Sequence, residues 1–144
     1  MAATGWKAYR NVSQSIPSST KTAITFDTEI FDTDAFITVS SSTVTIPVGK
    51  GGKYLIIGGG YWASASSWFR SLFISKNGTL DSNIVASTVL TQASDAAQII
   101  TTILDLVAGD VIRLLVEQTS GGAVNFGSQS GELNAWITGV LLGT

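Results

Sequence analysis

The sequence predicts an all-β sandwich of two sheets, one of which is apolar on both of its faces. Two observations predict the sandwich: no window of the chain keeps a helical period, and short runs rich in β-branched and aromatic residues alternate with turn-forming clusters. Several of these runs carry no charge on either face, which predicts that other copies of the chain cover one sheet. The length of 144 residues suits one domain, so residues 1–144 are predicted to form a single domain.

Ten runs have the composition and length of strands, at a spacing typical of a sandwich. They are residues 6–11, 21–27, 36–40, 43–48, 53–62, 69–76, 83–91, 97–106, 111–118 and 133–142. Between the sixth and seventh runs stand Asn77 and Gly78, which tolerate the positive φ angles of a two-residue type I′ hairpin turn. Residues 93–97 are predicted to form a loop rather than a helix, because the residues after them then fit a strand.

The run at 53–62 is apolar or small on both faces. Alternate residues of a strand point to opposite sides, so Leu55, Ile57 and Tyr61 share one face while the other also carries aliphatic and aromatic residues. The runs at 97–106 and 133–142 show similar two-sided patterns, with Asp105 as their one charged residue. The runs at 69–76 and 111–118 instead carry Arg70, Lys76, Arg113 and Glu117 among their apolar residues. An antiparallel sandwich normally leaves one face of each sheet to water. Closed, symmetric self-association is therefore predicted to cover this sheet.

The composition argues against catalysis and against several classes of partner. Charged residues make up 12% of the chain and the net charge is -2, without a basic stripe, which disfavours nucleic acid and anionic membranes. Histidine and cysteine are absent, which removes the commonest general base, the commonest metal ligand and all thiol chemistry. The longest apolar run, at 54–63, is too short and too rich in glycine to span a bilayer. We expect no enzyme activity, no cofactor, no nucleic-acid partner and no membrane partner.

A set of short motifs occurs in a specific order along the chain. They are Trp6-Lys7-Ala8-Tyr9-Arg10, Ser15-Ile16-Pro17, Thr25-Phe26-Asp27-Thr28-Glu29 with Phe31-Asp32-Thr33, Ile46-Pro47 followed by Gly52-Lys53-Tyr54, Lys76-Asn77-Gly78, the stretch 106–114 and the stretch 136–142. The stretch 106–114 is similar to the pattern L-x-A-G-D-x-V-x-L. By the order and spacing of these motifs, nearly the whole chain resembles the C1q/TNF-like jelly-roll family.

The resemblance implies a ten-stranded, two-sheet jelly-roll sandwich that forms a compact homotrimer. It also implies that the first, central and last strands lie in the sheet packed at the three-fold axis, in agreement with the two-sided apolar strands. The predicted trimer interface comprises Leu55, Ile57, Gly59, Tyr61, Ile99, Thr101, Ile103, Trp136, Thr138 and Val140. Gly59 lies within a run of three glycines, where we expect the missing side chains to make room for aromatic packing near the axis.

The composition of the chain, rich in Ser, Thr, Asn and Gly, is similar to that of stand-alone family members from bacteriophages and bacteria. This resemblance implies a virion component made in the host cytoplasm: a capsid decoration or cement protein, or a head-fibre protein, that contacts another virion protein of the capsid or tail. The alternative is a fibre knob that recognises a host glycan or protein. The chain contains no coiled coil or collagen repeat that would hold a knob away from a particle, which favours the accessory protein.

An acidic cluster is the densest group of ionisable residues. It consists of Asp27, Glu29, Asp32 and Asp34, whose oxygens are the kind of ligand that Ca²⁺ takes. The spacing is not that of an EF-hand loop, and carboxylates in loops commonly bond the backbone of turns. Turn chemistry is the preferred interpretation, and no metal site is assigned.

Trp68 is a candidate for surface binding, because it follows a polar turn and precedes a predicted strand. An exposed indole ring in such a place suits contact with a sugar or a protein. The preferred interpretation is an anchor in the core or in an interface, since large aromatic side chains are mostly buried.

Overall fold

The chain forms two antiparallel β-sheets that pack face to face. The computed structural model describes residues 3–66, 68–127 and 129–144, and within these ranges there are twelve strands and one short 3-10 turn at Gly131–Leu133. The strands are β1 (Gly5–Arg10), β2 (Gln14–Ile16), β3 (Thr22–Ala23), β4 (Thr28–Asp32), β5 (Val44–Thr45), β6 (Gly52–Trp62), β7 (Phe69–Lys76), β8 (Ile84–Thr91), β9 (Ala96–Leu106), β10 (Val111–Gln118), β11 (Val124–Phe126) and β12 (Ala135–Gly143). The predicted two-sheet sandwich is confirmed.

The first sheet, called the front sheet here, has the strand order β9, β6, β12, β1, β4, and the pair β11 and β2 extends it from the end of β6. The second, the back sheet, has the order β3, β10, β7, β8, and β5 also pairs with β10. The first and last strands are neighbours, since Gly5 pairs with Val140 and Arg10 with Ala135. The first, central and last strands therefore lie side by side in the front sheet, as the resemblance implied.

Aromatic side chains fill the space between the sheets. The rings of Trp6 and Phe36 are 4.7 Å apart, and those of Trp62 and Phe126 are 4.8 Å apart, with all four side chains buried. Trp6 has room because it faces Gly139, where a Cβ atom would collide with its indole ring. Glycine on β12 thus permits the largest side chain of the core to lie flat against the neighbouring strand.

Nine of the ten predicted runs contain a strand, but the run at 36–40 does not. There Ile37 forms an isolated bridge with Val44, and the Asp32 carboxylate accepts hydrogen bonds from the N–H groups of Phe36 and Ile37. The backbone donors that a strand would use are therefore taken by a side chain. Three strands were not predicted, β2, β4 and β11, each of which has three to five residues.

The prediction of a two-residue type I′ turn at Asn77 and Gly78 is wrong, although β7 and β8 do form an antiparallel hairpin. Residues 77–83 connect the two strands, and only Asn77 of the pair has a positive φ. The reason is that Asn77 bonds β10 instead: its side chain donates to the Asp110 carboxylate (2.5 Å) and accepts from the Val111 N–H (2.7 Å). The predicted loop at residues 93–97 is confirmed for residues 93–95, which form no helix, whereas residues 96 and 97 already belong to β9.

No helix among the described residues is long and apolar enough to cross a membrane.

Candidate interaction surface

The outward side of the front sheet gathers the ten residues predicted for the trimer interface. Residues directly opposite on neighbouring strands point to the same side, and β6 lies between β12 and β9. Three rows cross the sheet: Val140, Leu55, Ile103; Thr138, Ile57, Thr101; and Trp136, Gly59, Ile99. Tyr61 continues the same side of β6 at its end. We call these ten residues the front face.

The front face is apolar and open to solvent. Ile99 and Ile103 are each 60% exposed, and Leu55, Ile57 and Trp136 are half-buried. None of the ten residues is charged. Large contiguous apolar patches are uncommon on monomeric soluble proteins and mark contact sites.

The outward side of the back sheet differs from the front face in having a charged side chain over an apolar pair. The Lys21 ammonium lies 4.7 Å above the ring centroid of Phe73 and forms an ion pair with Asp81 at 3.2 Å. Beneath this cover, Leu115 pairs with Phe73 and is fully buried although it points away from the core. A charged side chain thus covers this apolar pair on the back sheet. On the front sheet the ion pairs Lys7–Glu132 and Lys53–Asp105 lie at the two ends of the front face and leave its middle uncovered.

Trp136 lies across Gly59. A Cβ atom on Gly59 would be 3.2 Å from Cζ2 of Trp136, 3.3 Å from Cγ1 of Ile99 and 2.7 Å from the carbonyl oxygen of Gln98. On the opposite side of the same strand, a Cβ atom on Gly60 would be 2.5 Å from Cζ of Phe126. The glycines of β6 therefore make room for an aromatic ring on each face of the front sheet, as predicted for the ring packing itself.

Three hollows open on the front face or along its ends. One, of about 480 Å³, lies beside the indole of Trp136 and is lined by Lys7, Ile57, Glu132, Leu133, Trp136 and Thr138. A smaller one, of about 120 Å³, is lined by Gly60, Tyr61, Ala97, Gln98, Ile99, Leu133 and Trp136. A third, of about 400 Å³, lies at the other end, lined by Gly52, Lys53, Ile103, Asp105, Leu142, Gly143 and Thr144. Ridges and hollows on one face suit packing against another protein surface.

The residues at the edge of the front face, Leu133, Lys7 and Glu132, were not predicted from the sequence. Leu133, predicted to begin the last strand, lies instead in the 3-10 turn and is 64% exposed beside Trp136. Next to it, the Lys7 ammonium bonds the Glu132 carboxylate at 2.5 Å. The two charges are 125 residues apart in the sequence, so only the pairing of β1 with β12 brings them together.

Three of the four residues of the acidic cluster, Asp27, Asp32 and Asp34, contact loops, whereas Glu29 lies exposed on β4. The Asp32 carboxylate accepts from the backbone N–H groups of Asp34, Phe36 and Ile37, at 3.2, 2.9 and 2.7 Å. Asp27 accepts from the Asn11 N–H at 2.8 Å. Within the described ranges, no group of three or more acidic residues is arranged to hold a metal ion.

Asp34 forms an ion pair with Lys50 at 2.7 Å. The hydrogen bonds from Lys50 and from the Thr33 hydroxyl hold the pKa of Asp34 below its ordinary value. This ion pair binds the loop after β4 to the loop before β6, whereas the turn chemistry preferred from the sequence occurs at Asp32.

Trp68 lies outside the core. Its side chain is 56% exposed, and the next residue, Phe69, is 54% exposed at the start of β7. Of the two anchoring places preferred from the sequence, the core is excluded, because the ring is turned to solvent where the chain enters β7. An anchor in an interface stays a prediction. Ser67, part of the polar turn noted before Trp68, lies outside the described residues.

Comparison with solved structures identifies the architecture. The globular domain of zebrafish complement 1qA protein aligns with a TM-score of 0.66 and 13% identity, over 97% of this chain and 98% of that one. Murine APRIL crystallised at pH 5.0 aligns with a TM-score of 0.70 and 12% identity, over 98% of this chain and 100% of that one. No family model matches the chain, and no curated protein matches it.

The two antiparallel sheets and these alignments define a jelly-roll sandwich. More particularly, the fold is the C1q/TNF-like jelly roll that the sequence motifs predicted. The identities of 12% and 13% relate the chains by fold.

Proposed function

We propose that the protein is a non-enzymatic homotrimer that serves as an accessory component of a bacteriophage virion, as a capsid decoration or cement protein or as a head-fibre protein. The observation that carries the proposal is the front face, ten uncharged residues that lie together on one exposed side of a sheet. The absence of histidine and cysteine supports binding rather than catalysis. The polar, sparsely charged composition supports the virion role.

A three-fold ring needs two different surfaces on each copy, because one side of a protomer meets another side of the next. The front sheet offers such a pair. Along β9, Ile99 and Ile103 protrude, whereas across β1 and β12 the surface is hollowed beside Trp136. In the proposed trimer, the protruding side of one copy packs against the hollowed side of its neighbour, and β6 and β12 line the axis.

The oligomeric state is tested by native mass spectrometry of the purified chain. Three copies of the 15.0 kDa chain give a mass of about 45 kDa, which is the expected result for a closed three-fold ring. The variant Ile103→Asp buries a charge in the proposed interface and is expected to be monomeric and folded. The matched control Val48→Asp changes a residue that is 92% exposed in a loop, and it should remain trimeric. A monomeric wild-type chain would overturn the trimer.

The virion role is tested on assembled particles. Quantitative mass spectrometry of purified phage from the source of the gene should find the protein in three copies per attachment position. Particles of a deletion strain should lose it and become less resistant to heat or low salt if it cements the capsid. Its absence from purified particles would contradict the virion role without affecting the trimer.

A second candidate function is a fibre knob that recognises a host glycan or protein. The exposure of Trp68 favours it, since an aromatic ring in solvent at a loop end is the kind of residue that binding sites use. Adsorption assays separate the two functions: a knob is needed for attachment to the host, whereas a cement protein is needed for particle stability.

A further inference from the structure

Three loops that meet beside the start of β7, which Trp68 precedes, are bonded to one another. Residues 63–66 meet the loop at 92–95 through the Ala65 N–H, which donates to the Ala93 carbonyl at 2.9 Å, and through the Ser64 hydroxyl, which donates to Asp95 at 2.7 Å. Residues 119–123 join them, since the Ser66 hydroxyl lies 3.3 Å from the Ser120 carbonyl oxygen. We call these three segments with Trp68 the Trp68 end.

Buried polar side chains hold the Trp68 end from below. The Arg70 guanidinium, 2% exposed, donates to the carbonyl oxygens of Ser94 at 3.1 Å and Ala93 at 3.4 Å. Gln118, 1% exposed, donates to the Gly122 carbonyl at 2.7 Å and accepts from the Ser120 N–H at 2.8 Å. Such contacts fix the loop backbone before any ligand arrives, which lowers the entropy cost of binding.

The chemistry of the Trp68 end is aromatic, hydroxylic and almost without charge. Among its described residues Asp95 is the one charged group, and the exposed polar groups are hydroxyls and an amide. The nearest guanidinium, that of Arg70, is buried and bonded to the loop backbone. The described residues of this end present no cation to an anionic ligand, whereas the ring of Trp68 is open to a neutral one. The Ser64 and Ser66 hydroxyls donate within the loops, and the remaining lone pairs of their oxygens are acceptors for a ligand.

We propose that the Trp68 end binds a neutral saccharide, which stacks the C–H face of one sugar ring on the indole of Trp68 and forms hydrogen bonds with the surrounding hydroxyl and amide groups. An amphipathic aromatic ring and a few placed polar groups are the elements that orient a small ligand of this kind. The proposal rests on the second candidate function, recognition of a host surface, and gives it a ligand class. It does not use the front face, which is formed by other residues.

The test is a glycan array followed by saturation-transfer NMR in solution. The array carries neutral oligosaccharides ending in glucose, galactose, mannose or N-acetylglucosamine, with sialylated and sulfated glycans as anionic probes. We expect the wild-type protein to bind at least one neutral probe and no anionic probe. The variant Trp68→Ala should lose at least tenfold in affinity, Trp68→Phe should keep part of it, and the control Leu80→Ala, in the loop after β7, should bind as the wild type does.

Two results would overturn the saccharide site: no neutral probe bound by the wild-type protein, or binding unchanged by Trp68→Ala in a protein with the wild-type unfolding midpoint. Capture of a host protein in a Trp68-dependent manner, without sugar binding, would also overturn it. The monomeric Ile103→Asp variant separates this proposal from the trimer, because in solution it should still show saturation transfer from the sugar. A trimer that binds no sugar would refute the saccharide site alone.

Discussion

The indole of Trp136 lies over the backbone of Gly59, with its Cζ2 atom 3.2 Å from the place that a Cβ atom would occupy. This relationship joins two neighbouring strands on the exposed side of the front sheet. It also fixes the shape of that side, because the ring separates two of its hollows.

The substitution Gly59→Val should abolish the trimer while leaving a folded chain. The valine side chain must displace the Trp136 ring and would collide with the carbonyl oxygen of Gln98. Such overpacking lowers the free energy of unfolding by about 1–3 kcal/mol. Native mass spectrometry and thermal unfolding measure the two effects. Gly122→Val is the control, since a Cβ atom there meets nothing within 4 Å. An intact Gly59→Val trimer would show that the ring does not shape the interface.

Gln98→Ala should destabilise the protein strongly. Gln98 is buried, accepts the Trp62 indole N–H at 2.9 Å and donates to the carbonyl oxygens of Arg70 and Thr88. Its loss leaves a buried donor and two acceptors without their partner, which costs roughly 1–3 kcal/mol for each group left unsatisfied. Urea unfolding at fixed protein concentration measures the loss.

Gln92→Ala is the matched control for that measurement, because Gln92 is exposed and bonds only the nearby Ser94 hydroxyl. Its free energy of unfolding should stay within about 0.5 kcal/mol of the wild type, as is usual for surface substitutions. Equal effects of the two substitutions would mean that the buried network does not hold the sheets together.

Asp110 should make stability depend on acid pH. Burial alone would raise the pKa of its carboxyl group, but hydrogen bonds from the Val107 N–H and from Asn77, together with the Lys76 ammonium at 3.0 Å, hold it below the ordinary value of 3.8. A lowered pKa in the folded state stabilises the fold at pH values above 3.8. That contribution is lost as the pH falls through the lowered pKa.

Asp110→Asn should therefore lower the unfolding midpoint at pH 7, and the difference from the wild type should shrink toward pH 2. Thermal melts across this range measure it. Asp105→Asn is the control, because the ion pair of Asp105 with Lys53 is 70% and 65% exposed and such pairs contribute little. A difference for Asp110→Asn that stays constant with pH would rule out the linkage.

Calcium should leave the unfolding midpoint unchanged. The Asp32 carboxylate already accepts three backbone N–H groups, and Asp34 is paired with Lys50, so these carboxylates are engaged within the protein. Melts in millimolar CaCl₂ and in EDTA provide the comparison. A midpoint that rises with calcium would reveal a metal site, since a ligand that binds only the folded state stabilises it.

The sequence was most informative where side chains alternate over a long strand. The two-sided pattern of β6 predicted both the buried side of the front sheet and the apolar front face, because the period of two is a local property. The sequence was not informative where a hydrogen bond from a side chain decides the local backbone structure. Asn77 turns toward Asp110 rather than into a tight hairpin, and the Asp32 carboxylate takes the N–H groups that a strand at residues 36–40 would need.

The sequence also did not predict which single residues in loops are buried. Trp68 is of a residue type that is mostly buried, yet its side chain is exposed. Whether a loop folds inward depends on contacts between distant residues, such as those of Arg70 with the loop at residues 92–95. Leu133 was placed in the last strand, yet the 3-10 turn at Gly131–Leu133 ends just before that strand and leaves the side chain exposed.

The pairing of β1 with β12 has a consequence for how the molecule is made. The Thr138 hydroxyl donates to the Trp6 carbonyl across 132 residues of sequence, in the middle of the front sheet. On the ribosome, β1 cannot pair with β12 until residues 135–143 have emerged, and the apolar β6 emerges before them. Pairings between distant segments make folding slow, on the order of milliseconds to seconds. Nascent chains thus expose unpaired apolar strands until β12 has emerged, and a chaperone that shields them would raise the yield.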